Sequence, residues 1–498
     1  MKICNIISLL FISLPYLSFG QYLTKDTLST TALHLQRAKV PLGHHATTLS
    51  GDILAATSSH NLLDALAGRI PGLQITPSYL MGGSSNASIR GIASFTNNTQ
   101  PLFVLDGLPI NNSVFNIEGQ NIGRGGYDYG NIANDINLED IQSINILRGG
   151  AATTLYGMHG ANGAILLTTK QGHKPSIRFS TSIAFSRINA NTAPTYQQEY
   201  GAGYGAFYDD PSRYFQVGDL NNDGILERIV PTAEDASWGA RFDPDLLVVH
   251  WDALNPLANN FGELRPYVAP ENGVLDFFET GITTRNQLAF TQKNWRLAYT
   301  NEQKKDVLPL GRQQRHWLNL HTKQTLLENL HVSFGATFFH QNVQGRAGTG
   351  YDRLNVMRSL GQWFQANVDM ERLGRYLDAN GQQLTWNRSS LEDARPRFFD
   401  NPYFTRHENT QRDGRHRLLT YGLLNYQLSK YVHLQGRTSA DIFTDVQKER
   451  VSTQSIVLSN YTERWRTQTA LNLELLLRTE KQLSNALHLR AMLGGNYS

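Results

Sequence analysis

From Lys174 onward apolar and polar residues alternate along the chain. Ile177, Phe179, Ile183 and Phe185 lie against Arg178, Ser180, Ser182 and Ser186, so one face of the segment is apolar and the other polar. The same period of two returns in Trp295-Arg296-Leu297-Ala298-Tyr299-Thr300. It returns again where Val332, Phe334, Ala336 and Phe338 oppose His331, Ser333, Gly335 and Thr337. Later, Val432, Leu434, Thr438, Ala440 and Ile442 face away from His433, Gln435, Arg437, Ser439 and Asp441, and Leu471, Leu473, Leu475 and Leu477 from Asn472, Glu474 and Arg478. A last segment sets Leu487, Leu489, Ala491 and Leu493 against His488 and Arg490. Side chains alternate across a strand, so this pattern predicts about nine two-faced strands, each near the ~9–11 residues that cross a bilayer at a tilt.

The connections between them are uneven. Ser429-Lys430 and Ser484-Asn485 read as tight turns, whereas 189–279 and 342–409 are long, rich in Asn, Asp, Gly, Tyr and Arg, and without sustained period. Short turns at one end and long loops at the other are the asymmetry of an outer-membrane barrel. A secreted β-sandwich or propeller with long insertions shares the alternation, because the period does not say whether the apolar face meets lipid or a core.

Ahead of Lys174 the texture differs. Residues 53–172 read as a small α+β unit. Ser58 and Ser59 are positioned to cap a short helix carrying Leu62, Leu66 and Ile70 on one face, with Gly68 near its end. Strands are predicted at Leu73 to Thr76, at Pro101 to Leu105 before the Asp106-Gly107 turn, at Ile144 to Leu147, and at Gly163 to Lys170. Leu138 to Ile141 reads as a turn or short helix, and Ala151 to Gly157 as a small-residue segment.

Composition narrows the class. With 42 glycines, 10% aromatic and only 17% charged residues, the 498-residue chain does not match disorder. Its 45 basic and 42 acidic residues leave a net charge of +3, which points to no nucleic-acid partner. Lys2, the apolar run from Ile3 to Leu17 and the small residues Ser18 and Gly20 read as a secretory signal peptide over 1–20. The one cysteine, Cys4, falls inside it, so the mature chain is expected to hold no disulfide, thiol nucleophile or thiolate metal site.

The block Ile141-Gln142-Ser143-Ile144-Asn145-Ile146-Leu147-Arg148-Gly149, with Gly160-Ala161-Asn162-Gly163-Ala164-Ile165-Leu166-Leu167-Thr168-Thr169-Lys170, resembles the plug domain of TonB-dependent outer-membrane receptors. Leu66-Ala67-Gly68-Arg69-Ile70-Pro71-Gly72-Leu73, Ser88-Ile89-Arg90-Gly91-Ile92 and Pro101-Leu102-Phe103-Val104-Leu105-Asp106-Gly107 follow in the order of the SusC/RagA family. Asp400-Asn401-Pro402-Tyr403-Phe404, with Asn409 and Arg415, is similar to a segment before a barrel hairpin in that family. The resemblance implies a transmembrane antiparallel β-barrel of about 22 strands, filled by the plug. It also implies a SusD-like surface lipoprotein as partner, energy from the TonB complex, and the outer membrane of a diderm bacterium as location. Residues 21–52 are then an N-terminal extension in which a TonB box belongs, with Ala32-Leu33-His34-Leu35 and Ala38-Lys39-Val40-Pro41-Leu42 as the candidates. The stretch 173–498 cannot hold about 22 strands of about ten residues besides its two long loops, so it is expected to be a partial barrel in a fragment of a longer polypeptide.

Little else carries chemistry. Asp219, Asn221, Asp223, Gly224, Ile225 and Glu227 offer carboxylate and amide oxygens at alternate positions, with glycine at the bend and the Ile225 carbonyl next, as a calcium loop requires. Val230 stands where an EF-hand has its twelfth ligand, so only a shorter loop ending at Glu227 fits, and a solvated acidic turn is the other reading. Gly201-Ala202-Gly203-Tyr204-Gly205 lacks the preceding strand and following lysine of a nucleotide loop. Tyr196, Tyr204, Tyr208, Tyr214, Trp238 and Trp251 suit either stacking on substrate or packing within loops. No G-x-S-x-G, H-E-x-x-H or P-loop pattern is present, and no enzyme activity or other cofactor is expected. The expectation is a TonB-dependent receptor importing oligosaccharides or peptides. The alternative is an outer-membrane binding or adhesion protein without energised uptake.

Overall fold

The computed structural model describes residues 29–30, 36–37, 46–57, 59, 61–92, 99–483 and 488–497. The signal-peptide segment, both TonB-box candidates, Ser58 and the Ser484-Asn485 turn lie outside the described residues. Two short strands, β1 (Ser29–Thr30) and β2 (Gln36–Arg37), pair with each other.

The α+β unit is built on a five-stranded sheet. It comprises β3 (Ala46–Ser50), β8 (Ile141–Leu147), β9 (Ala164–Thr169), β6 (Leu102–Leu105) and β7 (Leu108–Ile110), adjacent in that order. Only β6 and β9 run parallel. A separate hairpin joins β4 (Leu73–Thr76) to β5 (Asn86–Ile89). The continuous apolar run of β9 has a direct cause: the strand is covered on both faces. Ile165 and Leu167 join Leu54, Leu62, Leu66, Phe103, Ile144 and Ile146 in the main core, while Ala164 and Leu166 meet Val104 and Ala152 on the other side. Asp106 and Gly107, at φ 48° and 79°, make the two-residue turn between β6 and β7, where only residues tolerant of positive φ fit.

Three details differ from expectation. The sheet takes in β3, and α1 (Gly51–Ala55) follows it at once, so the ordered unit begins before residue 53. The cap of α2 (Leu62–Leu66) is Asn61, whose Oδ1 accepts from the Leu63 amide at 2.8 Å. Ser59 is instead engaged with the Asn61 backbone. The small-residue segment is helical, as α4 (Gly150–Tyr156), between Gly149 and Gly157 at φ 44° and 58°; a short α3 (Glu118–Asn121) precedes it in the chain.

The period-two segments form one antiparallel sheet of nine strands. In order these are β10 (Ser176–Ser186), β15 (Gly281–Thr291), β16 (Trp295–Lys305), β17 (Arg312–Leu327), β18 (Leu330–Gln344), β19 (Thr410–Gln427), β20 (Val432–Val451), β21 (Asn460–Gln482) and β22 (His488–Tyr497). The sheet does not close, since β10 and β22 each have one neighbour among the described residues. Several strands outrun the expected length, β21 reaching 23 residues, because they continue past the apolar band into polar extensions such as Lys448 and Arg450 of β20. No helix among the described residues is long and apolar enough to cross a membrane.

Both long loops are folded, which their lack of period hid. The first holds a four-stranded sheet of β11 (Gln216–Gly218), β12 (Glu227–Ile229), β13 (Asp243–Val249) and β14 (Leu264–Tyr267), packed around Phe215, Val230, Val248 and Tyr267. The second carries α5 (Val356–Gln362), α6 (Met370–Leu373) and α7 (Pro402–Glu408). Trp386, Leu360, Met370 and Phe399 of this loop share a core with Trp251 and Phe277 of the first, so the two form one cap.

Candidate functional site

The plug sits against the inner face of the sheet, and their seam is ionic. Alternate residues of each wall strand point inward. On β19 these are Asp413, Arg415 and Arg417, and on β20 Asp441, Asp445 and Gln447, all buried. Toward them the plug presents the segment from Asp128 to Asp140, shaped by short 3₁₀ turns at Ile132–Asp135 and Leu138–Asp140; Asn137 caps the second by accepting from the Glu139 amide.

Asp135 is the centre. Arg415 Nη1 donates to its Oδ1 at 3.1 Å and Arg417 Nη1 to its Oδ2 at 3.2 Å. Each arginine also holds a wall carboxylate: Arg415 Nε reaches Asp445, its cross-strand partner, at 3.0 Å, and Arg417 grips Asp441 through Nε at 2.9 Å and Nη2 at 2.7 Å. Burial pushes the Asp135 carboxyl up, against the pull of the two guanidinium groups. Trp317 Nε1 donates to the Asp135 carbonyl at 2.7 Å, and Arg285 and Arg315 both lie 5.4 Å from its ring centre.

A second knot lies beside it. Arg296 Nη2 donates to Asp140 at 2.8 Å, and Arg285 bridges Glu139 of the plug to Glu302 of the wall at 3.1 and 3.2 Å. Glu302 also receives Arg315. A third tie is Arg346, which chelates Asp413 at 2.7 and 2.9 Å and gives Nη1 to the plug carbonyls of Met81, Gly82 and Asp128. Farther round the wall, the Tyr129 hydroxyl donates to Glu449 at 2.6 Å, and Arg437 donates to the Asp106 carbonyl. A seam of paired charges and carbonyl bonds holds position strongly, yet each bond can be exchanged for water if the lumen hydrates.

Of the residues singled out in the sequence Arg415 lies in this seam, and the candidate loop residues lie elsewhere. Asp219, Asn221, Asp223, Ile225 and Glu227 share one turn between β11 and β12, and their oxygens serve the turn itself. Asp219 accepts from the Asp223 and Gly224 amides at 3.0 and 2.9 Å, Asn221 from Asp223 at 3.1 Å, Asp223 from Ile225 at 2.8 Å and Glu227 from Leu220 at 3.1 Å. Among the described residues no three His, Cys, Asp or Glu side chains converge as a metal site. Gly201 to Gly205 is an irregular loop bridged to Ser237. Of the loop aromatics, Trp251 is core, Tyr196 donates to the Leu360 carbonyl, Tyr208 to Glu234 and Tyr204 to Asp235, whereas Trp238 is 78% exposed. Asn401 caps α7 by accepting from the Tyr403 amide at 2.8 Å, which aims that helix into β19. The seam was missed in the sequence. Its only signal was charge on the polar positions of strands, which water explains equally well.

Residues 42–164 match the family model described as the TonB-dependent receptor plug domain. The chain carries a TonB-dependent receptor plug. Over 155 residues it is 32% identical to TonB-dependent receptor SusC of Bacteroides thetaiotaomicron, covering 30% of this chain and 14% of that protein. Over 142 residues it is 32% identical to TonB-dependent receptor P39 of Formosa agariphila, covering 28% and 12%. The fold overlays the solved RagAB peptide importer in its closed-closed state with a TM-score of 0.60 at 16% identity, over 91% of this chain and 47% of that one. The chain thus spans about half the length of the solved importer chain and the matched segments a small part of the curated receptors. The SusC/RagA resemblance of the motifs is borne out, and the nine-stranded sheet with the plug on its inner face has the fold of a TonB-dependent receptor, open among the described residues.

Proposed function

We propose that this protein is the plug-bearing portion of a SusC-like, TonB-dependent transporter that imports oligosaccharides or peptides across the outer membrane of a diderm bacterium, beneath a SusD-like lipoprotein. The observation that carries the reading is the double grip of Arg415 and Arg417 on Asp135. A plug meant as a permanent wall is best sealed by apolar packing, whereas one that must loosen and reseat is suited by bonds that water can replace. The plug sheet also offers a place to begin: among the described residues β3 is an edge strand paired with β8 over five residues, so force reaching the sheet from the N-terminal side meets a short ladder. The likeness to an importer of peptides supports that half of the substrate class. Uptake of labelled peptides and oligosaccharides by cells with and without TonB tests the proposal. Import that continues unchanged without TonB would refute it.

A further inference from the structure

The outer face of the wall, away from plug and cap, carries a feature that import does not use. His316, His340 and His416 stand opposite one another on β17, β18 and β19, as His316↔His340 and His340↔His416 pairs. Their neighbours Arg315, Trp317, Phe339, Arg415 and Arg417 are buried facing the plug, so these three imidazoles point outward. Below them on the same face lie Leu318, Phe338, Leu418 and Ile442, and above them Gln314, Asn342, Gly414 and Val446, with Arg412 and Lys448 one step further. The row therefore marks the level where the apolar band gives way to polar extensions.

Within the row one pair is unlike the other. The rings of His340 and His416 stack at 4.3 Å with their Nδ1 atoms 3.1 Å apart, whereas His316 and His340 are 6.0 Å apart and His316 Nδ1 is engaged by the Tyr299 hydroxyl at 2.8 Å. The two imidazole nitrogens share a hydrogen bond at 3.1 Å, and an ion taking the place of that proton at the usual metal-to-nitrogen distance of about 2.05 Å would be held at an angle of about 98°. That lies between the right angle of a tetragonal site and the tetrahedral angle. Asn342 Nδ2 lies 3.0 Å from His340 Nε2, and rotating the amide by half a turn puts its carbonyl there, ready to accept from the ring once Nδ1 is metallated. The side chains flanking the pair on this face are His316, Phe338, Asn342, Leu418 and Thr444, with no carboxylate among them.

We propose that His340 and His416 form a two-histidine site for a borderline divalent transition metal, with copper(II) held most tightly and nickel(II) and zinc(II) less so, as imidazole ligands dictate. No third protein carboxylate or imidazole converges among the described residues, so water completes the coordination. The site is independent of the import reading, because both imidazoles lie on the face of the wall away from the plug.

The test is copper(II) titration of the full chain in detergent micelles, followed by electron paramagnetic resonance. Wild type should bind one ion with the splitting of two nitrogen ligands. His340→Ala and His416→Ala should each lose that signature and bind at least about tenfold more weakly, while His316→Ala keeps it. Because both side chains face outward, the variants should retain the wild-type circular dichroism spectrum; His416→Gln serves if His416→Ala does not. A wild-type signal from one nitrogen only, or copper affinity unchanged in the His340→Ala/His416→Ala double variant, would overturn the proposal.

Discussion

Replacing Asp135 by asparagine isolates one contact in the plug seam without changing shape. Wild-type Asp135 offers one oxygen to each of Arg415 and Arg417. Asparagine keeps a single acceptor and turns a donor toward the other guanidinium, so one charge-assisted bond is lost, worth about 1.5–3 kcal/mol. The local charge count softens the loss. Asp135, Asp441 and Asp445 face two arginines, so neutralising Asp135 leaves two balanced pairs. Removing Arg417 instead strands Asp441 and half of Asp135 in a buried site, which costs about 3–5 kcal/mol. Local opening of the segment 128–140 should therefore become about ten- to hundredfold more frequent in Asp135→Asn, and more frequent still in Arg417→Ala. Hydrogen exchange of plug peptides in detergent micelles measures this directly. Unchanged exchange in both variants, or a larger effect from Asp135→Asn than from Arg417→Ala, would refute the reasoning that these bonds hold the plug.

Acid should act on a different carboxylate. Burial of Asp128 raises its pKa, but bonds from the Ser84 amide and hydroxyl, the Asn116 amide and the Gly130 amide outweigh that and hold it below the usual range. Its stabilising contribution is therefore full above a pH of about 4 and lost as the pH falls through the lowered value; proteolysis of the 82–85 and 128–131 segments should rise in that acid window in wild type and lose its pH dependence in Asp128→Asn. Gly130→Ala should lower the melting temperature well beyond Gly68→Ala. Both positions have positive φ, costing about 1–2 kcal/mol, but only at Gly130 would the new Cβ meet backbone, 2.3 Å from the Gly82 carbonyl oxygen. Trp386→Ala empties the shared core of the cap and should cost about 3–5 kcal/mol, seen as loss of the cap's exchange protection with the plug unaffected. For the Asp219 to Glu227 turn, terbium luminescence should report binding no tighter than about 10⁻⁴ M, since its oxygens serve backbone amides, and micromolar affinity would contradict that geometry.

What the sequence disclosed and what it hid follow from the range over which each feature is determined. The wall strands were legible because a long segment with two environments must repeat every second residue, and the six segments named from the alternation fall on six of the nine strands. The plug was legible through motifs whose glycines occupy special conformations, such as Gly107 and Gly149, where few residues substitute. The cap was not, because β11, β12 and β14 span three or four residues, too few to show a period, and are held by packing between parts of the chain far apart in sequence, as where Ile229 of β12 meets Leu391 of the second loop. The seam was hidden for a further reason. Arg415, Arg417, Asp441 and Asp445 occupy the polar positions of their strands, and alternation assigns such positions to water. Only the fold shows that a plug carboxylate 280 residues earlier takes water's place. The same limit hid the His340 and His416 pair, since 76 residues separate them and only the register of β18 on β19 makes them opposite. In a barrel filled by its own N-terminal domain, the chemistry of a wall position depends on what the chain lays against it, so the functional residues are the ones a period-two pattern leaves undistinguished.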